Sequence, residues 1–174
     1  METIDCIKTR RSRRKFLDKE IPDNIIERLI ECGINAPSSL DCQPWHFIIV
    51  KGKVLKGKLA KIKGEENEEA ILAAYVLIVV CVDKKKSPSR FVEDGITATE
   101  NILLAAHDLG LGAVYITGFK PSKPEIEEEI KKILKLPENI IPITILPVGY
   151  PDSSEKLEKK ELCRSDDVIH LERG

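Results

Sequence analysis

Arg10, Arg11, Arg13 and Arg14 enclose Ser12 in a run of five residues. Planar guanidinium forks bind phosphate oxygens two at a time and a serine hydroxyl adds a neutral donor, so the tract suits a phosphate monoester. Taken alone, such a run also describes a solvated face or a nucleic-acid arm. Further along stand Ala36-Pro37-Ser38-Ser39 and Gln43-Pro44-Trp45-His46-Phe47, where prolines stiffen a loop that carries hydroxyl and amide groups. Trp45 by itself reads as a core residue. His46, His107 and His170 show no spacing that suits a metal or a Ser/His/Asp arrangement.

Elements must position these groups. Pro22-Asp23 followed by Ile25, Ile26, Leu29 and Ile30 predicts an amphipathic helix that ends near Gly33. The apolar pattern then predicts a strand over 46–50, a helix over 54–62 and a short helix opened by the acidic stretch 65–69. A buried strand over 75–82 follows, then a solvated loop over 84–89 and a long core helix over 91–109, closed by Gly110. Strands over 113–116 and 143–148 flank a surface helix over 124–134, and the tail is polar from Asp152. Four strands alternating with helices argue an α+β or α/β sandwich, without the glycine-rich βα turn of a Rossmann domain.

The 174 residues suffice for one core, and no linker or shift in composition divides them, so a single domain over 1–174 is expected. With 28 basic and 29 acidic side chains the net charge is -1, which gives no overall field toward nucleic acid; an anion site must be local. Five cysteines without a Cys-x-x-Cys pair fit neither a disulfide framework nor a zinc site and point to a reducing cytoplasm. The acidic N-terminus has no apolar leader, and the apolar run over 70–82 is interrupted by Tyr75 and too short to span a bilayer, so no membrane partner is expected.

Read in order, these segments resemble the nitroreductase family of FMN-dependent oxidoreductases nearly end to end. The resemblance implies an α+β fold with a central mixed or antiparallel sheet flanked by helices, in an interlocked homodimer with FMN at the subunit interface. It implies that the tail, about 152–174, extends over the partner. Arg10, Ser12 and Arg14 match the motif that holds the FMN phosphate and ribityl chain in that family, with Arg11 adjoining. Pro37, Ser38 and Ser39, with Gln43-Pro44-Trp45, match a loop that the partner subunit lays over the flavin ring; Asp41 stands where the family often has Asn. Asn67 matches an amide at the pyrimidine edge of the ring, or else caps the helix after it. A lysine that some relatives carry one turn later is Ala70 here, which leaves Arg14 as the expected compensating charge. Thr117 and Gly118 match a segment whose main-chain N–H groups approach flavin N5 and O4, and Arg164 matches a C-terminal arginine of the phosphate site, although its companion lysine is Leu162.

The activity so implied is transfer of electrons from NADH or NADPH, by a ping-pong mechanism, to an electron-poor small molecule such as a nitroaromatic, a quinone or a flavin. The chemistry resides on the flavin and no side chain need act as acid or base. The short connection between the strand ending at Val82 and the helix starting near Phe91 implies an open site. Alternatives are a flavin-binding, redox-sensing module without NAD(P)H turnover, or a dehalogenating or flavin-destroying relative. A nucleic-acid role for the arginines lacks an aromatic stacking platform.

Overall fold

In the computed structural model, which describes residues 1–158, 161, 162, 168–170 and 172, the chain opens with helix α1 (Thr3–Thr9), ending at Arg10. Helix α2 (Asp23–Ile34) begins after Pro22 and buries Ile26 and Leu29. A single 3-10 turn, Ser39–Asp41, leads into strand β1 (Trp45–Val50). Helices α3 (Lys53–Lys63) and α4 (Glu65–Ala73) are separated only by Gly64, whose φ of 75° favours glycine. There follow β2 (Val76–Asp83), α5 (Phe91–Asp108), β3 (Gly112–Ala113), β4 (Ile116–Thr117), α6 (Pro124–Leu134) and β5 (Ile140–Gly149). Among the described residues no helix is long and apolar enough to cross a membrane.

The strands join in the order β1-β2-β5-β3, with β4 also on β5, and every described pairing is antiparallel. Side chains alternate across β2: Leu77, Val79 and Cys81 face the layer of α3, α4 and α6, where Leu59, Ile71 and Ile130 are fully buried. Val76, Ile78 and Val80 face α2 and α5, against Leu29 and Ile102. Both faces of the central strands are therefore covered, which explains their unbroken apolar runs. Each fully buried Leu or Ile contributes about 1.5–3 kcal/mol.

Two prolines shape β5 and the edge beside it. Val80 pairs with Thr144 but Cys81 with Pro142, so Ile143 is the extra residue of a bulge. Its carbonyl accepts the N–H groups of Gly118 at 2.7 Å and Phe119 at 3.2 Å. On the other side β3 and β4 keep one register along β5, Gly112 opposite Gly149 and Thr117 opposite Thr144. They form one edge strand interrupted where Val114 faces Pro147, which has no N–H to donate.

The strand read over 113–116 is thus two short pieces, and that read over 143–148 extends at both ends. Helix α1 and the full reach of β5 carry no clear periodic signal, α1 because it is a single short element and β5 because Pro142 and Pro147 break a strand pattern.

Candidate functional site

The arginine tract leaves α1 and crosses the start of the edge strand. Arg13 N–H donates to the Ala113 carbonyl at 2.9 Å, Leu17 N–H to Tyr150 and Asp152 N–H to Lys15. The crossing is close: a Cβ on Gly112 would lie 2.8 Å from Arg13 Cβ. With its backbone fixed, the tract turns Arg10, Arg11, Ser12 and Arg14 into a cleft of about 420 Å³ whose far wall is Glu155, Lys156, Leu157 and Glu158.

Sequence reasoning did not single out any residue of that far wall, and among them Glu155 is the one that meets Arg13 and Arg14. Its Oε1 accepts Arg14 N–H at 2.9 Å, and its Oε2 lies 3.7 Å from Arg13 Nη1, buried and without a hydrogen-bond partner. Arg11 donates to the Glu158 carbonyl and Arg10 Nε lies 4.0 Å from Glu100. An unmatched buried acceptor costs about 1–3 kcal/mol and demands a donor. The cleft thus offers guanidinium groups and a hydroxyl to an anion, while the Glu155 carboxylate turns inward to Arg13 and the Arg14 backbone. Beside it, His107 Nε2 lies 2.9 Å from Thr9 Oγ1, and burial, then Arg10 and Arg13, push its pKa below the ordinary value. Among the described residues no cluster of His, Cys, Asp or Glu could hold a metal ion.

At the other end of the edge strand the ladder alternates, so that Gly118 bonds Ile143 while Thr117 turns its backbone away from β5. The Thr117 carbonyl accepts the Lys63 ammonium, and Thr117 Oγ1 donates to the Phe119 carbonyl at 3.0 Å. Asn67 lies inside α4, where Gly64 is the N-cap, so it does not cap that helix. Its amide instead donates to the Lys63 carbonyl at 3.2 Å, closing the end of α3. Asn67 and Thr117 are therefore brought together through Lys63, whose pKa is lowered by burial and then by Lys120. Gly118 is needed for protein packing, since a Cβ there would sit 2.9 Å from the Pro142 carbonyl oxygen. Its N–H already serves Ile143, so of this pair Thr117 holds the main-chain groups that face the open edge.

The loop with Pro37, Ser38 and Ser39 is held by Asp94, a buried carboxylate in the first turn of α5. Asp94 accepts Ser39 N–H at 2.8 Å and Ser87 Oγ at 2.6 Å, with Cys42 Sγ at 3.8 Å. Thr97 Oγ1 donates to the Pro37 carbonyl, Gln43 N–H to Ser38 Oγ and the Gln43 amide to Asp41. Leu40, Asp41 and Gln43 adopt φ of 53°, 52° and 44°, a left-handed conformation that non-glycine residues hold only when their surroundings enforce it. No described hydrogen bond links this loop to the arginine cleft or to Thr117, and Leu40 is 99% exposed at its tip. Within one chain the structure joins Arg10, Arg11, Ser12 and Arg14 in one group and Asn67 with Thr117 and Gly118 in another, and leaves Pro37, Ser38, Ser39 and Asp41 apart. Arg164, with Lys159 and Lys160, lies outside the described residues.

The chain is 38% identical to a provisionally named NADH dehydrogenase/NAD(P)H nitroreductase of Methanothermobacter thermautotrophicus, over 99% of this chain and 88% of that one. It is 30% identical to an NADPH-flavin oxidoreductase of Vibrio harveyi, over 91% of this chain and 69% of the other. The solved FMN-dependent nitroreductase of Clostridium difficile R20291 superposes with a TM-score of 0.83 at 30% identity, covering 98% of this chain and 99% of that one. A family model described as the nitroreductase family matches residues 7–150, a span that holds the arginine tract, the Asp94-anchored loop and the Asn67–Thr117 group, and the chain belongs to that family.

Proposed function

We propose that this protein is an FMN-dependent oxidoreductase that takes electrons from NADH or NADPH and passes them to an electron-poor acceptor such as a nitroaromatic, a quinone or a free flavin. One observation carries the reading: the edge strand places a phosphate-suited cleft at Ala113 and a polar, cation-bearing edge at Thr117. Four residues of strand separate them by about 13 Å, the scale of a mononucleotide whose ring is carried on an extended polyol chain.

Bound FMN supplies the redox chemistry. Arg10, Arg11, Ser12 and Arg14 hold its phosphate, with Arg164 as a further proposed contact. Asn67 and the Thr117 backbone orient the pyrimidine edge of the ring, with Gly118 keeping the strand pressed onto β5. Ser38, Ser39 and Asp41 with Pro37 cover the ring from a partner subunit. Large apolar side chains stand exposed on α1, α2, the loop and α5 (Ile7, Ile34, Leu40 and Ile96), where a second copy in a twofold homodimer would cover them. The chain acts as one unit over 1–174, its tail reaching the partner. Only a short connection, Lys84 to Arg90, stands between β2 and α5, so nothing from that side roofs the site, and donor and acceptor can occupy it in turn.

Initial rates measured with NADH or NADPH against a quinone test this directly. Parallel double-reciprocal lines are expected; intersecting lines contradict ping-pong exchange, and absence of turnover with both donors favours a flavin-binding module.

A further inference from the structure

Lys56 is a buried lysine to which the flavin reading gives no task. It is 7% exposed, and its ammonium donates to the Ala74 carbonyl at 2.6 Å, which leaves two N–H donors. Among the described residues it enters no ion pair. A charge so far from water is normally paired, because burial disfavours the charged form. Burial, then Lys53, push its pKa down, and Asp18 opposes them. Lys56 and Ala74 stand in the wall of a cavity of about 510 Å³ between the start of α3, the end of α4 and the segment 16–19. This cavity shares no lining residue with the arginine cleft, and α3, with its 11 residues, sets Lys53 about 15 Å from Lys63.

The charge around the cavity is one-sided: Lys19, Lys51, Lys53 and Lys56 face it, with Asp18 as the one acidic side chain. Lys51 is tied to Asp23 and Lys19 lies 4.0 Å over the Tyr150 ring, so among the described residues Lys53 and Lys56 are the cations of this wall left without a partner. Both sit at the start of α3, where the positive end of the helix dipole disfavours a cation and where neither an acid nor a capping side chain serves the first N–H groups. We infer that this cavity is a second ligand site, which takes the phosphate group of a small organic phosphate ester between Lys53, Lys56 and the first N–H groups of α3. Two unpaired ammonium groups match the two charges of such an ester. Leu17 and Leu72, each close to half exposed, line the same cavity and give its organic part an apolar wall.

Phenyl phosphate, inorganic phosphate and benzoate, titrated separately into the full chain while backbone amide resonances are followed by NMR, test the site. Phenyl phosphate is expected to shift the amides of Lys53, Val54 and Leu55 saturably, whatever happens over 10–14, where shifts report the arginine cleft. Inorganic phosphate should act on the same amides at least about threefold more weakly, because it leaves the apolar wall bare, and benzoate, with a single charge, should also bind more weakly than phenyl phosphate. Lys56→Met is expected to weaken phenyl phosphate at least about tenfold and Lys53→Gln about threefold, whereas Lys132→Gln on α6 should change nothing. Lys53 is exposed and can be replaced without disturbing the fold, so it tests the site on a second variant. Without ligand, Lys56→Met should melt no lower than wild type, since it removes a buried charge that lacks a partner. Shifts confined to 10–14, or variants at both 53 and 56 that bind as wild type does, overturn the site. A Lys56→Met protein that melts well below wild type makes Lys56 a structural strut and overturns its role as a ligand group. Inorganic phosphate that binds as tightly as phenyl phosphate overturns the organic part, and benzoate that does so overturns the preference for phosphate.

Discussion

Replacing Asp94 by alanine tests how the loop over 37–43 is held. Asp94 is 3% exposed and receives two short hydrogen bonds, from Ser39 N–H at 2.8 Å and Ser87 Oγ at 2.6 Å. A hydrogen bond to a charged group contributes about 1.5–3 kcal/mol, and removing the acceptor leaves the buried Ser87 hydroxyl unmatched. Ser39 can turn to water, which recovers part of the loss. The expected cost of Asp94→Ala is therefore about 3–5 kcal/mol of unfolding free energy. Asp94→Asn keeps one acceptor oxygen and is expected to cost about 1–2 kcal/mol. Urea unfolding of the flavin-free protein measures both. Leu40, Asp41 and Gln43 keep their left-handed backbone only while the loop is pinned, so the Ser39 amide should also exchange faster with solvent in Asp94→Ala. An alanine variant within about 1 kcal/mol of wild type, or with Ser39 as protected as before, refutes the assignment of Asp94 as the anchor.

Gly118→Ala should destabilise by about 2–3 kcal/mol, because its methyl group would meet backbone atoms of Pro142 and Ile143 that cannot swing away; Gly57→Ala, in α3 with nothing within 4 Å, should stabilise by about 0.5–1 kcal/mol. Thermal melts of the two variants should move in opposite directions. The lowered pKa of His107 means that below the ordinary value of 6.5 the unfolded chain binds more proton at this site than the folded one. Stability should therefore fall with acidification below pH 6.5, and His107→Gln should flatten that slope; an unaltered slope in the variant contradicts it. Arg10→Ala and Arg14→Ala should weaken FMN binding by about tenfold or more while leaving riboflavin, which lacks the phosphate, nearly unaffected. Equal losses for both ligands would remove the phosphate from the cleft.

The arginine tract was legible because four guanidinium groups around a serine are improbable as core and unusual in density, and the structure sets Arg10, Arg11, Ser12 and Arg14 side by side. Most helices were legible for the same kind of reason, since Pro22, Gly110 and the 3.6-residue spacing are local signals. Three residues that matter to the site were not. Asp94 reads as an ordinary acid in a helix's first turn, and only the fold brings Ser39 and Ser87 to it. Lys63 ends a lysine-rich helix where a solvated charge is the default, and its contact with Thr117 spans 54 positions of sequence. Glu155 sits in a polar tail whose approach to Arg13 and Arg14 depends on the short pairing of Phe16 with Pro151. Asn67 was half legible: the sequence offered a flavin contact or a cap of its own helix, and the structure replaces the second with closure of the preceding one.

The central claim is tested most directly by the absorption spectrum of the FMN-reconstituted protein between about 300 and 550 nm, recorded without air before and after NADH or NADPH is added. Twin flavin bands that bleach on addition of a nicotinamide and return when a quinone follows are the predicted result. Bands that persist with both donors, or no bands after incubation with FMN, contradict it.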